Sequence, residues 1–257
     1  MLTGIDHLVI VVRDLDLASR DYRQLGFTVI PGGRHPVGSH NALITFADGS
    51  YLELIAFYRD APDHRWWEPL QRGERLVDYC CRTDDLQSDT GKLREAGVAI
   101  NDPVPWSRIR PDGYELRWLL ALATGSHRGV APFLIQDVTP REERVPPDSG
   151  HPNRAAGIDT VTIAVSELSE PARWYRSVLS QSGEPVENRA LGARGLRFLI
   201  GPHAVELITP RQPQSPLADW LRLYGPSPYA ARLRSDGGPR MELDPRLTHG
   251  ANLSIGS

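Results

Sequence analysis

Two residues able to do chemistry, His7 and Glu53, sit in phrases that the chain writes twice. Gly4-Ile5-Asp6-His7 opens one apolar run and Gly157-Ile158-Asp159-Thr160 opens another. The shift that carries His7 onto Thr160 also carries Leu15 onto Leu168, Tyr22 onto Tyr175 and Glu53 onto Glu206. Each copy ends alike, in Tyr51-Leu52-Glu53-Leu54-Ile55 and in Ala204-Val205-Glu206-Leu207-Ile208. Internal repeats are read first because they decide the architecture. Here one module holds a His/Glu pair and its copy keeps only the Glu. On a strand, Tyr51, Glu53 and Ile55 share one face while Leu52, Leu54 and Ala56 share the other. A carboxylate placed between apolar faces is costly to bury without a partner, so Glu53 is expected to be functional. His7 is either a half-buried histidine hydrogen-bonded at a sheet edge or a ligand or acid–base group. Glu206, between Val205 and Leu207, repeats the Glu53 pattern, but Thr160 beside it is a poor metal ligand.

Further polar and aromatic candidates surround this pair. His40-Asn41 precedes a strand and is placed to bind a substrate oxygen. Trp66-Trp67 reads as a lid or apolar wall, with Trp67 the candidate for substrate contact, or else as packing between modules. Arg108, Arg110 and Arg117 alternate along a possible strand face and suit an anion, or simply face solvent. Pro31-Gly32-Gly33 lacks the Gly-x-x-x-x-Gly-Lys-Ser/Thr pattern of a phosphate loop. With no Gly-x-Gly-x-x-Gly fingerprint and no Gly-x-Ser-x-Gly elbow, a nucleotide cofactor or a serine nucleophile is not indicated.

The elements that must position these groups follow from pattern. Leu8 to Val12 reads as a buried strand. Asp14 to Gly26 reads as a helix, with Leu15, Ala18, Tyr22 and Leu25 as its apolar stripe and Gly26 as its stop. Strands are predicted at Phe27–Ile30, Ala42–Phe46 and Tyr51–Phe57, the last two joined by Asp48-Gly49. The order is β-α-β-β-β. A second round starts at Leu76–Arg82, with a helix from Asp84 to Gly97 and strands at Val98–Ile100, Trp106–Arg110 and Tyr114–Leu122. Residues 123–156 are proline-rich and irregular, and Pro132-Phe133-Leu134-Ile135 is a possible extra strand within them. A third round spans Ile158 to Pro210, and the remainder forms a reduced fourth. The division predicted is 1–125 for two paired modules, 126–156 for a connection, and 157–257 for the third and reduced fourth modules.

Composition sets the outer bounds. The 257 residues are 40% hydrophobic and 24% charged, with a formal net charge of −3. That describes a globular chain long enough for a substantial core, with no electrostatic reason to bind nucleic acid or an anionic membrane. Cys80 and Cys81 are adjacent and make no disulfide or zinc framework. No signal peptide or membrane span is apparent, so a cytoplasmic, reducing location is expected.

These features resemble the vicinal oxygen chelate superfamily, which includes glyoxalase I, extradiol dioxygenases and bleomycin-resistance proteins, and within it the proteins with a glyoxalase-like domain. The resemblance rests on Gly4-Ile5-Asp6-His7-Leu8-Val9, His40-Asn41 and Asp48-Gly49-Ser50-Tyr51-Leu52-Glu53-Leu54-Ile55, joined by Arg110-Pro111-Asp112-Gly113 and Pro132-Phe133-Leu134-Ile135. It implies an α+β fold of repeated βαβββ modules, with curled mixed β-sheets around a cup. It also implies a ligand near the start of a module's first strand and a Glu on its last. Those positions are His7 and Glu53 in module one, and Thr160 and Glu206 in module three. Aligning Gly26 on Gly97 sets Asp78 opposite His7, and aligning the two Asp-Gly turns sets Arg117 opposite Glu53. If modules one and two pair, Arg117 brings a positive charge into the cup and favours an anionic ligand. If modules one and three face each other, His7, Glu53 and Glu206 form a metal set for a hard divalent ion. The function implied is that of a metal-dependent isomerase or lyase acting on a small oxygenated metabolite. Zn, Mn, Ni or Fe would serve as the ion, with Glu53 and Glu206 as catalytic groups. The alternative is a metal-free, non-catalytic binding or resistance protein. The expected partner is a small molecule, and the expected state is a monomer or homodimer.

Overall fold

The computed structural model describes residues 1–147, 150–237 and 240–256. The first apolar run becomes β1 (Leu2–Val11). Asp14 caps the helix α1 (Leu15–Gln24), its carboxylate accepting the N–H groups of Asp16 and Leu17, both at 2.9 Å. That satisfies donors which the first turn of a helix leaves unpaired. The module is completed by β2 (Ile30–Arg34), β3 (Ser39–Thr45) and β4 (Tyr51–Phe57). The strand predicted at Phe27–Ile30 therefore lies later. Phe27 and Val29 are instead drawn into the core beside α1, where the Tyr22 and Phe27 rings meet at 5.8 Å.

After α2 (Trp67–Gln71) the pattern repeats as β5 (Arg75–Thr83), α3 (Leu86–Glu95), β6 (Val104–Ile109), β7 (Glu115–Ala121) and β8 (Phe133–Asp137), followed by the single turn α4 (Arg141–Arg144). The eight strands close into a barrel in the order β1-β4-β3-β2-β6-β7-β8-β5. Its final strand, β8, lies inside the 126–156 stretch expected to be a connection, so the barrel reaches past residue 125. The stretch Val98–Ile100 contributes only an isolated bridge from Ile100 to Ala123.

The third module is β9 (Ala155–Ala164), α5 (Ser169–Leu179), β10 (Glu184–Asn188), β11 (Ala193–Ile200) and β12 (His203–Pro210). The fourth lacks its helix. The connecting helix α6 (Pro216–Tyr224) leads directly into β13 (Ser227–Ser235), β14 (Met241–Glu242) and β15 (Asn252–Ile255). These strands form an open sheet ordered β10-β11-β12-β9-β13-β15-β14. The architecture is the α+β arrangement of repeated βαβββ modules in curled mixed sheets that the family resemblance implies. Modules one and two pair with each other, and modules three and four do the same.

Strand alternation divides the core. Leu8, Ile10 and Cys81 point outward into an apolar layer that continues without a break into the second half through Ile158, Val161 and Phe198. Val9, Val11, Cys80 and Phe133 point into the barrel. Polar contacts also join the halves: Ile5 N–H donates to buried His203 Nδ1 at 2.9 Å, and the Tyr79 and Tyr175 hydroxyls meet beside the Val130 carbonyl. Among the described residues, no helix is long and apolar enough to cross a membrane.

Candidate functional site in the barrel

His7 and Glu53 come together inside the barrel because β1 and β4 are parallel neighbours, with Val9 opposite Glu53 and His7 opposite Tyr51. His7 Nε2 lies 3.5 Å from Glu53 Oε2. Its other ring nitrogen, Nδ1, is 2.8 Å from Asp6 Oδ1. Burial by itself would raise the pKa of Asp6, but Arg144 and Arg141 outweigh it and hold the carboxyl well below its usual range. Asp6 is therefore an ionised acceptor, which fixes the His7 proton on Nδ1 and turns Nε2 toward Glu53. The His7 ring is held by Tyr51, stacked at 4.6 Å, and by Phe133, edge-on at 5.4 Å. Asn41, inward-facing on β3, donates from Nδ2 to Glu53 Oε1 at 2.6 Å.

The walls are aromatic and basic. Trp66, Trp106, Trp118 and Phe133 supply apolar surface, and Arg65, Arg108 and Arg144 supply three guanidiniums. Arg144 is fully buried. Nη1 and Nη2 each lie 3.1 Å from an Asp6 oxygen, Nη2 is 3.0 Å from Asp137, and Nη1 donates to the Tyr51 hydroxyl at 2.9 Å. Arg65 Nη2 pairs with buried Asp78 at 2.7 Å, and Trp66 Nε1 donates to the same oxygen at 2.9 Å. Burial pushes His35 down to about 3, aided by Arg108, and pushes His64 down to about 4, aided by Arg65. Both rings are neutral at pH 7. About 40 Å³ of the cavity admits the centre of a water-sized sphere, within about 530 Å³ of atom-free space that includes its open mouth. His64, Arg65, Trp106 and Leu122 also line an outer groove bounded by Val37 and residues 59–63. The path into the barrel thus runs past the segment that leads into α2.

The barrel has an internal two-fold relation that tests the fit of a divalent ion. In the β1–β5 ladder His7 faces Cys80 and Val9 faces Asp78. The shift that carries Gly26 onto Gly97 exchanges these two pairs, so Asp78 is the counterpart of His7. That shift carries Val9 onto Cys80, and Cys80 pairs with Phe133 in the parallel β5–β8 ladder as Val9 pairs with Glu53 in the parallel β1–β4 ladder. Phe133, not Arg117, therefore stands where Glu53 stands in module one. The Asp-Gly turns misalign because Asp48-Gly49 joins β3 to β4, whereas Asp112-Gly113 joins β6 to β7, one strand earlier in its module. A four-ligand set drawn from both modules would consist of His7, Glu53, Asp78 and Phe133. Asp78 is already bound to Arg65 and Trp66, and Phe133 offers no donor. Among the described residues no group of three His, Cys, Asp or Glu side chains is arranged to hold a metal. Within that set only His7 and Glu53 are free to donate, and this incomplete set beside three guanidiniums does not fit a divalent cation.

Several expected site residues lie elsewhere. Glu206 lines the separate, open cup of the second sheet and pairs with Arg197 at 3.3 Å, so His7, Glu53 and Glu206 do not meet. Thr160 shares that cup. Arg117 faces outward from β7, with its side chain 65% exposed and bound to Glu115. His40, next to inward Asn41, points outward against the Tyr58 ring at 6.0 Å. Trp67 packs edge-on against Phe57 at 5.1 Å, and its neighbour Trp66 is the one that walls the cavity. Arg108 does face inward, as strand alternation allowed. Arg144, in the irregular segment after β8, carried no periodic signal.

A family model described as "Glyoxalase-like domain" matches residues 5–179. The chain belongs to the glyoxalase-like domain family. The match ends in α5, so the family signature crosses from the barrel into the second half. Among solved structures the chain resembles a hypothetical protein from Staphylococcus aureus, with 13% identity, 98% of each chain covered and a TM-score of 0.70. It also resembles a mutant of 4-hydroxymandelate synthase from Streptomyces coelicolor, with 18% identity, 92% of this chain and 72% of that one covered, and a TM-score of 0.65. A third is a xylose isomerase-like TIM barrel/4-hydroxyphenylpyruvate dioxygenase fusion protein, with 15% identity, 92% of this chain and 37% of that one covered, and a TM-score of 0.55. At these identities the likeness shows the vicinal oxygen chelate fold and no particular reaction. No curated protein matches the sequence.

Proposed function

We propose that the barrel binds a small oxygenated metabolite and moves a proton on it, with Glu53 as the base and without a resident divalent ion. The observation that carries this reading is Phe133 in the two-fold position of Glu53. It leaves one carboxylate in the cavity, held by Asn41 and adjoining the His7–Asp6 pair. A buried carboxylate of fixed orientation suits proton abstraction next to a carbonyl. Glu53 takes the proton at Oε2, the oxygen that faces His7 Nε2, since Oε1 is occupied by the Asn41 amide. Ionised Asp6 keeps the opposite ring nitrogen protonated and so steadies the imidazole. The closed aromatic wall keeps bulk water away from the carbanion-like species that such a step creates.

The test is solvent deuterium incorporation into a panel of small 2-oxo and 2-hydroxy acids. NMR would follow the full-length protein after exhaustive chelation. Chelated wild type should catalyse exchange, and Glu53→Gln should lose it by at least about 100-fold. Exchange that appears only when Zn²⁺, Mn²⁺, Ni²⁺ or Fe²⁺ is added back would sink the metal-free reading. Exchange that survives Glu53→Gln would remove Glu53 from its role.

A further inference from the structure

The three guanidiniums of the cavity differ in one respect that matters for its ligand. Arg65 has Asp78, and Arg144 has Asp6 and Asp137. Arg108, on β6, is 3% exposed, and among the described residues no carboxylate lies within salt-bridge distance of it. Its Nη2 donates to the Arg144 carbonyl at 2.9 Å and its Nη1 lies 3.5 Å from Asn41 Oδ1. Among the described residues its Nε has no hydrogen-bond partner. Glu53 acts on it through space, but the short hydrogen bond of Glu53 goes to Asn41. Burying a cation without an ion pair is among the costliest things a fold does. A cost kept in a binding cavity points to a partner that arrives with the ligand.

We infer that Arg108 anchors the carboxylate of the barrel's ligand, and that this ligand is a small monocarboxylic acid with a flat apolar body. The guanidinium fork matches the two oxygens of a carboxylate and forms charge-assisted bonds with them. A single carboxylate suits the site better than a dianion, because Arg65 and Arg144 already have carboxylate partners and Glu53 would repel a second negative charge. Trp106, Trp118 and Phe133 present ring surface to the rest of the molecule. Asn41, between Arg108 and Glu53, would set the carbon beside the carboxylate near the base. This assignment rests on the barrel being the binding site, as proposed above, but not on Glu53 being a base.

Isothermal titration of the full chain at pH 7 with benzoate and phenylacetate, against the isosteric neutral benzamide and phenylacetamide, tests it. Wild type should prefer each acid over its amide by roughly 10- to 100-fold, as expected for charge-assisted hydrogen bonds. Arg108→Gln should abolish that preference while raising the melting temperature, because an unpaired buried charge is removed. Arg108→Lys keeps the charge but loses the fork, and should retain only part of the preference. Should Arg108→Gln fail to fold, this second variant decides. Equal binding of acid and amide by wild type, binding of neither, or an undiminished acid preference in Arg108→Lys or Arg108→Gln overturns the assignment. Glu53→Gln should still bind the acids. Loss of proton exchange in that variant with acid binding intact separates the anchor from the base.

Discussion

The barrel and the open sheet are built from one repeat and have become opposite kinds of site. In the barrel, β8 closes the ring, and its Phe133 pairs with Cys80, which pairs with His7. In the second half Ser254 pairs with Arg232, which pairs with Thr160. The same ladder positions thus hold an aromatic ring and a thiol in one half, and a hydroxyl and a guanidinium in the other. The fourth module has lost its helix and does not close the sheet, so its concave face is polar, with Arg232 paired to Asp159 and Arg197 to Glu206. Charges on an open face are solvated and paired at little cost. Charges inside the closed barrel either find a fixed partner or wait for one. Closure, more than the choice of residues, makes Glu53 chemically different from Glu206.

Phe133→Glu would break that comparison most severely. Placing a carboxylate opposite Glu53 should cost about 3 kcal/mol in urea denaturation, the price of an uncompensated buried charge. It also creates a third donor beside His7 and Glu53. A divalent cation at 100 times its Kd should then restore about 2.7 kcal/mol, while leaving wild-type stability unchanged. A variant that Zn²⁺ or Mn²⁺ does not rescue would show that the two-fold position is not a ligand position.

A smaller effect separates the halves by pH. His35 and His64 are held neutral in the barrel at about 3 and about 4. An unfolded histidine titrates near 6.5. Below that the unfolded chain takes up protons which the folded barrel refuses. The stability these rings contribute is therefore complete above about pH 6.5 and is lost as pH falls toward the folded values. The unfolding free energy from urea denaturation should decline by roughly 1.4 kcal/mol per pH unit for each ring across that acid window. The variant His64→Gln should decline less steeply, and an identical slope would show that His64 is not kept neutral. The smallest effect is expected in the open sheet. Glu206→Gln removes a partly exposed pair with Arg197 and should cost no more than about 1 kcal/mol. Acid binding in the barrel should not change, and a measurable loss in the same titration would mean that the two cups communicate.

Much of the scaffold was legible because repetition and alternation are properties of sequence. The module order, the Gly26–Gly97 correspondence and the partnership of His7 with Glu53 all follow from them. Alternation separated His40 from Asn41 but could not say which of the two faced inward, since neither neighbour set is wholly apolar. The place of Phe133 was hidden by residues 122–132, an excursion that delays the last strand of module two and leaves the Asp-Gly turn one strand early. Arg144 was invisible for a different reason. It has no periodic neighbours, and only the closing of β8 beside β5 carries the chain back to Asp6.

The unbroken apolar layer between the halves has a consequence for the role of the second half. Leu8, Ile10 and Cys81 on the barrel's outer wall share one buried apolar cluster with Ile158, Val161 and Phe198. A gene cut between the halves would yield a fragment with a greasy flank, prone to precipitate before it could fold. The second half therefore has a use independent of its own cup, as the apolar partner against which the barrel's outer wall is buried.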